Sequence, residues 1–502
     1  MIAYLTSMDR GRSETDTGCS AKATSMNGGT VSRLFRTVVL LAGLVSIVGA
    51  GTAPSTAAGH VKLSPYHEPP WLIRRGRPVT LAYALVNGSV KGTVYVRSGL
   101  RGSYTQLTLT RGAYCPGDPV DAAAMRRDKV CGDALLAHVP GELTAGSKLF
   151  YYAVLHDPVS GQSVTVPAGG AARPQRVWIV DRFLTAALGA HRFGRVRAPD
   201  AIVARSGPKE IGLTCCADPP GGDGPSSFDV APDGSIWVLD RLNHRLLVWR
   251  AGRVAHPVRS VALPSSLNVT DFALGQNGAI FIRAADTADL GEGNKDHLYA
   301  LTATGSVRWK APTTAGIAHA QLQLGPNGAL YAVQACGETC APFGGHILWT
   351  PLTTQAGLPL SLAERAGRAS PFEPLAGGLR LVTELSYSVA RFALINQADG
   401  LVRAWSVTSR TRLSGMLGAP AVVGGDPVLP LEVSAQRHWE KLILRLGATG
   451  GTRVRFALED RPIVGEVNLF APLRIGSNGR LYELRTNLKT GMSVARYSLG
   501  PA

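Results

Sequence analysis

Charge is scarce in this chain. Only 17% of its 502 residues are charged and only 35 of them are acidic, which excludes a Lys/Glu-rich coiled coil and argues against a disordered polyelectrolyte. Cysteine occurs seven times and aromatics make up 7%, too little for a disulfide-held miniprotein, and a chain this long needs no such staples to bury a core. Phosphate-cradling Walker and Rossmann loops are missing, as is a Gly-x-Ser-x-Gly nucleophile elbow, so nucleotide-dependent and acyl-transfer chemistry lack their usual machinery. What is present is 45% hydrophobic residues with 58 glycines and 32 prolines, the composition of many short strands joined by turns.

The net charge of +17 arises from 52 basic and 35 acidic side chains, and arginine outnumbers lysine about four to one. No tract of five basic residues occurs, only pairs such as Arg74-Arg75 and Arg126-Arg127. A dispersed basic surface follows, with weak attraction to anionic cell-wall polymers or lipid as the alternative, and a nucleic-acid partner is not expected.

Arg33 and Arg36 precede the apolar run Val38 to Ala50, and small residues continue to Ala58, the pattern of a secretory signal over residues 1–58 cleaved near Ala58. Residues 1–25 lack that pattern, which makes Met26 an alternative start. A run this short does not span a bilayer comfortably, so membrane contact is expected only through a retained signal anchor, and the mature chain is placed outside the cytoplasm. Beyond the signal six cysteines remain: Cys115, Cys131, Cys215, Cys216, Cys336 and Cys340. Export favours disulfides. The simplest scheme pairs them locally in that order, with bonds between the Cys215-Cys216 loop and Cys336 or Cys340 as the alternative.

From residue 60 to 180 the apolar pattern has period two, with strands expected at 79–86, 93–97, 104–110, 135–139, 149–155, 163–166 and 176–179. Seven short strands in this length suggest a β-sandwich of immunoglobulin or fibronectin type. Cys115 and Cys131 would then staple a loop between strands.

Beyond Arg182 the sequence repeats. Segments 228–237, 272–281, 322–331 and 473–482 share apolar alternation, an Asp-Gly or Asn-Gly pair, and an aromatic three residues after the glycine. Such pairs favour tight hairpins because the turn needs positive φ. The turn glycines Gly234, Gly278, Gly328 and Gly479 are spaced 44, 50 and 151 apart. The long gap holds two worn repeats at Gly378 and Gly425, Asp399-Gly400 being a competing turn. Six units of about this length are expected to form a six-bladed β-propeller over 190–502, giving an all-β chain of sandwich followed by propeller.

The run from Phe228 to Trp249, with Asp240-Arg241-Leu242-Asn243-His244-Arg245, resembles an NHL repeat, and the later units resemble diverged copies. That resemblance implies four-stranded blades around a central channel, with Asp240 and Arg245 bracing the second hairpin. The last unit ends after its third strand, and 199–205 is expected to supply the fourth.

Long, unusual loops fall at one end of the first three units. They nominate Asp218, Asp223, Asp286, Asp289, Glu292 and Glu338 as rim residues that bind a protein or glycan. Asp286, Asp289, Glu292, Asn294 and Asp296 also supply oxygen for calcium, without the EF-hand order, and no other cofactor is expected. His244, His297 and His346 begin third strands of successive units, too far apart on packed sheets to share a zinc. Six-bladed gluconolactonase-type hydrolases resemble this architecture, and the resemblance implies Glu, Asn and Asp ligands for a divalent metal at the channel mouth. Eight residues before the turn glycines this chain has Ser226, Thr270, Ala320, Ser370, Leu417 and Ala471, a row that cannot cage a metal. Asp271, His319, Glu466 and Asn468 lie nearby. Peptidyl-hydroxyglycine amidating lyases, which are also NHL-like, use several channel histidines, of which only His319 is well placed. Asp271 and His319 are therefore the channel candidates. Non-catalytic recognition is the preferred reading, and a metal-dependent propeller hydrolase or lyase the alternative.

Overall fold

A computed structural model describes residues 63–114 (without 85 and 87), 132–190, 198–214 (without 208 and 209), 223–286 (without 253–255), 296–313, 320–335, 347–416 (without 387), 420–458 (without 436 and 437) and 472–500 (without 477, 488 and 489). The chain is all-β. Among the described residues the α-helix is Leu362–Arg368, begun by a capping box between Ser361 and Glu364, and no helix is long and apolar enough to cross a membrane. The signal region lies outside the described residues.

Residues 63–180 build two sheets. The smaller has the order Val79–Ala84, Gly132–Val139, Thr110–Tyr114; the larger runs Leu72–Arg74, Gln175–Val180, Lys148–His156, Lys91–Ser98, Thr105–Thr108, with Ser163–Val166 also on Lys148–His156. Alternation decides what faces inward. Val94 and Val96, Leu149 to Leu155 at every second residue, Val177 and Ile179 meet Leu81, Tyr83, Leu135, Ala137 and Val139 of the other sheet in one core. The stretch expected as a single strand over 104–110 divides at Leu109, its first part pairing in the larger sheet and its continuation in the smaller. Leu109 is buried, its amide donates to the Gly92 carbonyl at 3.0 Å, and a Cβ on Gly92 would lie 2.9 Å from the Leu109 side chain. The crossing point therefore needs that glycine.

Among the described residues six further sheets follow, over 228–262, 267–312, 321–351, 372–409, 412–457 and 473–498, each an antiparallel meander. The hairpin joining the first two strands turns in every case at the glycine read from the repeat: Gly234, Gly278, Gly328, Gly378, Gly425 and Gly479 all have φ between 66° and 82°. Asp399, at φ 66°, turns between the third and fourth strands of the fourth sheet. Two sheets take a strand from the segment before residue 205. Asp200–Ala204 pairs antiparallel with Gly491–Ser498 of the sixth, and Leu184–Gly189 adds in parallel to Leu401–Ser409 of the fourth.

Neighbouring sheets share cores. Leu239, Leu246 and Val261 of the first meet Val269, Phe272 and Ile282 of the second; Ala273, Phe281 and Leu298 meet Leu322, Leu330 and Ala332 of the third. The fourth packs on the fifth through Leu381, Phe392, Leu429 and Leu444, and the fifth on the sixth through Val428, Ile443, Leu473 and Leu481. The sixth returns to the first, Tyr482 and Leu484 joining Phe228, Ile236 and Trp249. The fourth sheet's other face is covered instead by Trp71, Leu72, Trp178 and Val180 of the N-terminal region, which meet Val382, Ala393, Ile395 and Ala404.

Candidate functional site

Of the two groups that the sequence assigns to a channel, the structure describes Asp271, on the first strand of the second sheet, Leu267–Leu274. Asp271 is fully buried. Its Oδ1 accepts from the Phe272 amide at 2.9 Å and its Oδ2 from the Leu322 amide at 2.6 Å, so the carboxylate ties the second sheet to the third. Asp229 does the same one sheet earlier, accepting from the Val230 amide at 2.8 Å and the Leu274 amide at 2.9 Å. Burial pushes the Asp229 carboxyl above its ordinary range, while the Arg474 guanidinium pulls it back down.

Arg474, on the sixth sheet, closes this set. Its Nε donates to the Phe228 carbonyl at 3.2 Å and its Nη2 to the Leu322 carbonyl at 3.0 Å, while Nε lies 3.8 Å from Asp229 Oδ1. One side chain thus reaches the first and third sheets. Asp229, Ala273, Gln323, Glu373, Pro420 and Arg474 each stand five residues before a turn glycine. That row carries Asp229, Glu373 and Arg474, whereas the row eight residues before carries no charged group, and Asp271 stands outside both. The sequence reading missed the charged row by choosing a register from another family's metal ligands; counting alternate positions inward from the glycine would have found it. Glu373, in the same row, is buried with Oε2 unpartnered, and burial raises its carboxyl well above the ordinary carboxylate value.

The motif residues behave as braces. Arg245 Nε donates to Asp240 Oδ2 at 2.8 Å, and Asp240 Oδ1 also accepts from the Gly212 amide at 2.9 Å. Asp223, nominated for ligand binding, accepts from Arg241 Nη2 at 2.7 Å and from the Gly224 amide at 2.8 Å, and its backbone pairs with Thr214. It fastens the bridge between Thr214 and Asp223 to Arg241. Of Asp286 the structure describes the backbone alone, at the end of Ile280–Asp286. Asp218, Asp289, Glu292, Glu338, His319, Glu466, Asn468 and all six cysteines lie outside the described residues.

Ser226 donates to the Thr270 carbonyl at 2.9 Å, and Thr270 Oγ1 accepts from Arg283 Nε at 3.1 Å. Ser370 Oγ accepts from the Phe372 amide at 3.2 Å, so all three hydroxyls of the row eight residues before the glycine are engaged in the protein, and Ala320 beside them offers no ligand atom. The described part of that row does not fit a divalent metal. No group of three or more His, Cys, Asp or Glu able to hold a metal ion occurs among the described residues.

A different feature marks the joint of the third and fourth sheets. A cleft of about 490 Å³ opens between their first-hairpin turns, lined by Pro326, Asn327, Gln355, Pro374, Arg380 and Gln397, among others. Beside it Asp399 receives three cations: Arg380 Nη2 at 2.8 Å, Lys148 Nζ at 3.2 Å, and Arg176 Nη1. Desolvation, with Arg176 and Arg380 close by, lowers the Lys148 ammonium below its ordinary value. Lys148 and Arg176 belong to the N-terminal region, so this carboxylate clamps it to the fourth sheet. Trp178 Nε1 adds a bond to the Asp399 carbonyl at 3.2 Å, and the Leu72 amide donates to Glu384 Oε2 at 3.2 Å.

No family model and no curated protein matches the chain. Among solved structures it is similar to a protein of unknown function from Bacteroides caccae (16% identity, 51% of this chain and 80% of that one, TM-score 0.25). It is also similar to streptogramin B lyase (11% identity, 70% and 90%, TM-score 0.28) and to the acylaminoacyl peptidase of Pyrococcus horikoshii (7% identity, 87% and 51%, TM-score 0.32). Their activities remain statements about those proteins.

Proposed function

We propose that the six sheets are blades of a closed propeller preceded by an immunoglobulin-like sandwich, and that the exported chain is a binding protein. Its partner is a protein or glycan, recognised by the long loops of blades one to three. The arrangement of Asp229, Asp271 and Arg474 carries this reading: these inner groups are occupied in tying blades one, two, three and six together. A centre bolted in this way positions loops rigidly, which is what a recognition scaffold requires. The lengths of the connections support it too: the first-hairpin turns are tight in all six sheets, while Asp286 and Asp296, and Ala335 and Ile347, the facing ends of the second and third strands of their sheets, are ten and twelve residues apart in sequence.

The competing reading, a divalent-metal-dependent hydrolase or lyase, draws on the unpartnered buried carboxyl of Glu373. Recovery of partners from the protein's own extracellular milieu, by the intact chain and by a variant with 287–295 and 336–345 shortened, separates the two. Loss of partners on shortening is the expected outcome. Equal recovery by both forms removes the rim reading, and a stoichiometric divalent metal by elemental analysis, lost in Glu373→Gln, installs the other.

A further inference from the structure

The outer face of the larger N-terminal sheet divides in two. Trp178, Val180 and Leu72 are buried against the fourth sheet. The rest stays half-exposed and carries an unusual set. Tyr95 and Tyr152, cross-strand partners, stand side by side with ring centroids 4.7 Å apart, and Tyr104 meets Tyr152 edge-on at 5.2 Å. Arg97 lies over Tyr104 at 4.6 Å and over Phe150 at 5.6 Å, and has no carboxylate partner among the described residues. Arg176 continues the row over Phe150 at 5.8 Å, and next come Asp399, Arg380 and the cleft. Four strands spaced ~4.8 Å apart make this a track of about 14 Å before the cleft begins.

Two features of the track point to its ligand. The first is charge: Lys148, Arg176 and Arg380 share the single carboxylate of Asp399, and Arg97 stands further along the row over Tyr104 and Phe150. Arg176 remains 39% exposed and Arg380 32%, so cationic surface is left for an external anion after the clamp is made. The second is the character of the cleft, where the carboxamides of Gln355 and Gln397 stand among Pro326, Pro374 and Leu375, a mixed lining that supplies donors and acceptors for hydroxyl groups and apolar surface for a sugar ring.

We propose that this face binds an anionic glycan, with acid groups on Arg97 and Arg176, sugar hydroxyls on the tyrosine edge, and one end of the saccharide in the cleft beside Arg380 and Gln397. The proposal does not depend on the role of the rim loops. A uronate and a phosphodiester-linked saccharide share the chemistry that would be recognised.

Calorimetric titration of the full chain at low ionic strength tests this with four probes: oligogalacturonate, a neutral galacto-oligosaccharide of equal length, a phosphodiester-linked oligomannose and polyglutamate. Binding of oligogalacturonate or the phosphodiester-linked oligomannose at least tenfold tighter than both other probes is expected, and the stronger of the two identifies the acid. Arg97→Gln and Gln397→Glu should each weaken that binding at least tenfold with unchanged unfolding midpoints, while shortening 336–345 leaves it intact. Polyglutamate binding as tightly as the saccharides, no binding of either acidic saccharide, or parental affinity in both variants would overturn the proposal.

Discussion

Arg474→Met is the sharpest probe of the inner strands, because methionine keeps much of the length and loses the charge and every donor. Arg474 is 10% exposed and reaches two carbonyls on different sheets as well as Asp229. Each charged hydrogen bond contributes ~1.5–3 kcal/mol, discounted here because both carbonyls also lie within paired strands. The substitution should cost ~3 kcal/mol and lower the thermal midpoint by about 5 °C. The pH dependence is the more discriminating reading. Asp229 keeps its proton to higher pH in the folded chain than in the unfolded one, because burial outweighs the nearby guanidinium. Above the ordinary carboxylate pKa the folded state therefore binds more protons, and stability falls as pH rises through the folded value. Without Arg474 that folded value moves further up, so the variant's deficit should be larger at pH 7 than at pH 5. Urea titrations at the two pH values measure it, urea being chosen over guanidinium so that salt does not screen the pair. In a cycle with Asp229→Asn the double variant should be less destabilised than the sum by about 1 kcal/mol or more. A deficit independent of pH together with an additive cycle would refute the assignment of Arg474 as the electrostatic partner of Asp229.

The strand Asp200–Ala204 should stabilise the sixth sheet from far upstream: Ile202→Ala is expected to cost ~2–5 kcal/mol. Gly491→Ala, whose Cβ would lie 2.0 Å from the Ala204 carbonyl at φ 96°, should expose the sixth sheet to early proteolysis; parental resistance in both variants would place the strand elsewhere. His67 stacks on Tyr83 at 4.3 Å and bonds to the Tyr151 hydroxyl at 2.6 Å and the Ala82 carbonyl at 2.7 Å, and burial lowers its pKa to about 4. The unfolded chain takes up that proton near the ordinary value, so stability should drop by up to ~3 kcal/mol as pH falls from about 6.5 towards 4. Chemical denaturation of His67→Gln should show a shallower slope across that window, and an unchanged slope would shift the acid lability to another group.

The parts of this fold legible in the sequence are those encoded locally. A glycine of positive φ between two alternating strands is a short-range signal, and it located all six first hairpins, including the worn ones at Gly378 and Gly425. Asp240 and Arg245 were legible for the same reason, lying five residues apart on one hairpin. Inner-strand chemistry was harder to read. Asp271 was singled out as a channel group, yet its oxygens meet amides, one of them 51 residues away, and no spacing rule announces which backbone amide a carboxylate will find. Arg474 escaped altogether, its partners standing 246 and 152 residues distant.

The joint between the third and fourth sheets shows why the N-terminal region could not be placed from sequence. A hairpin leaves a turn as its signature, but Leu184–Gly189 joins Leu401–Ser409 in parallel, with more than two hundred residues between them and no turn to mark the pairing. The docking residues look equally ordinary, since Trp178 and Val180 continue the alternation of an outward sheet face that could equally have met solvent. Only Asp399 hints at something unusual. It is a non-glycine residue at positive φ beside Gly400, and its carboxylate gathers Lys148 and Arg176 from one region and Arg380 from the other. Among the described residues the N-terminal region has no carboxylate of its own for Lys148 and Arg176 at that point. The clamp therefore exists only when the two regions are together, and the cationic track that runs from it to Arg97 is a property of the joined molecule rather than of either part.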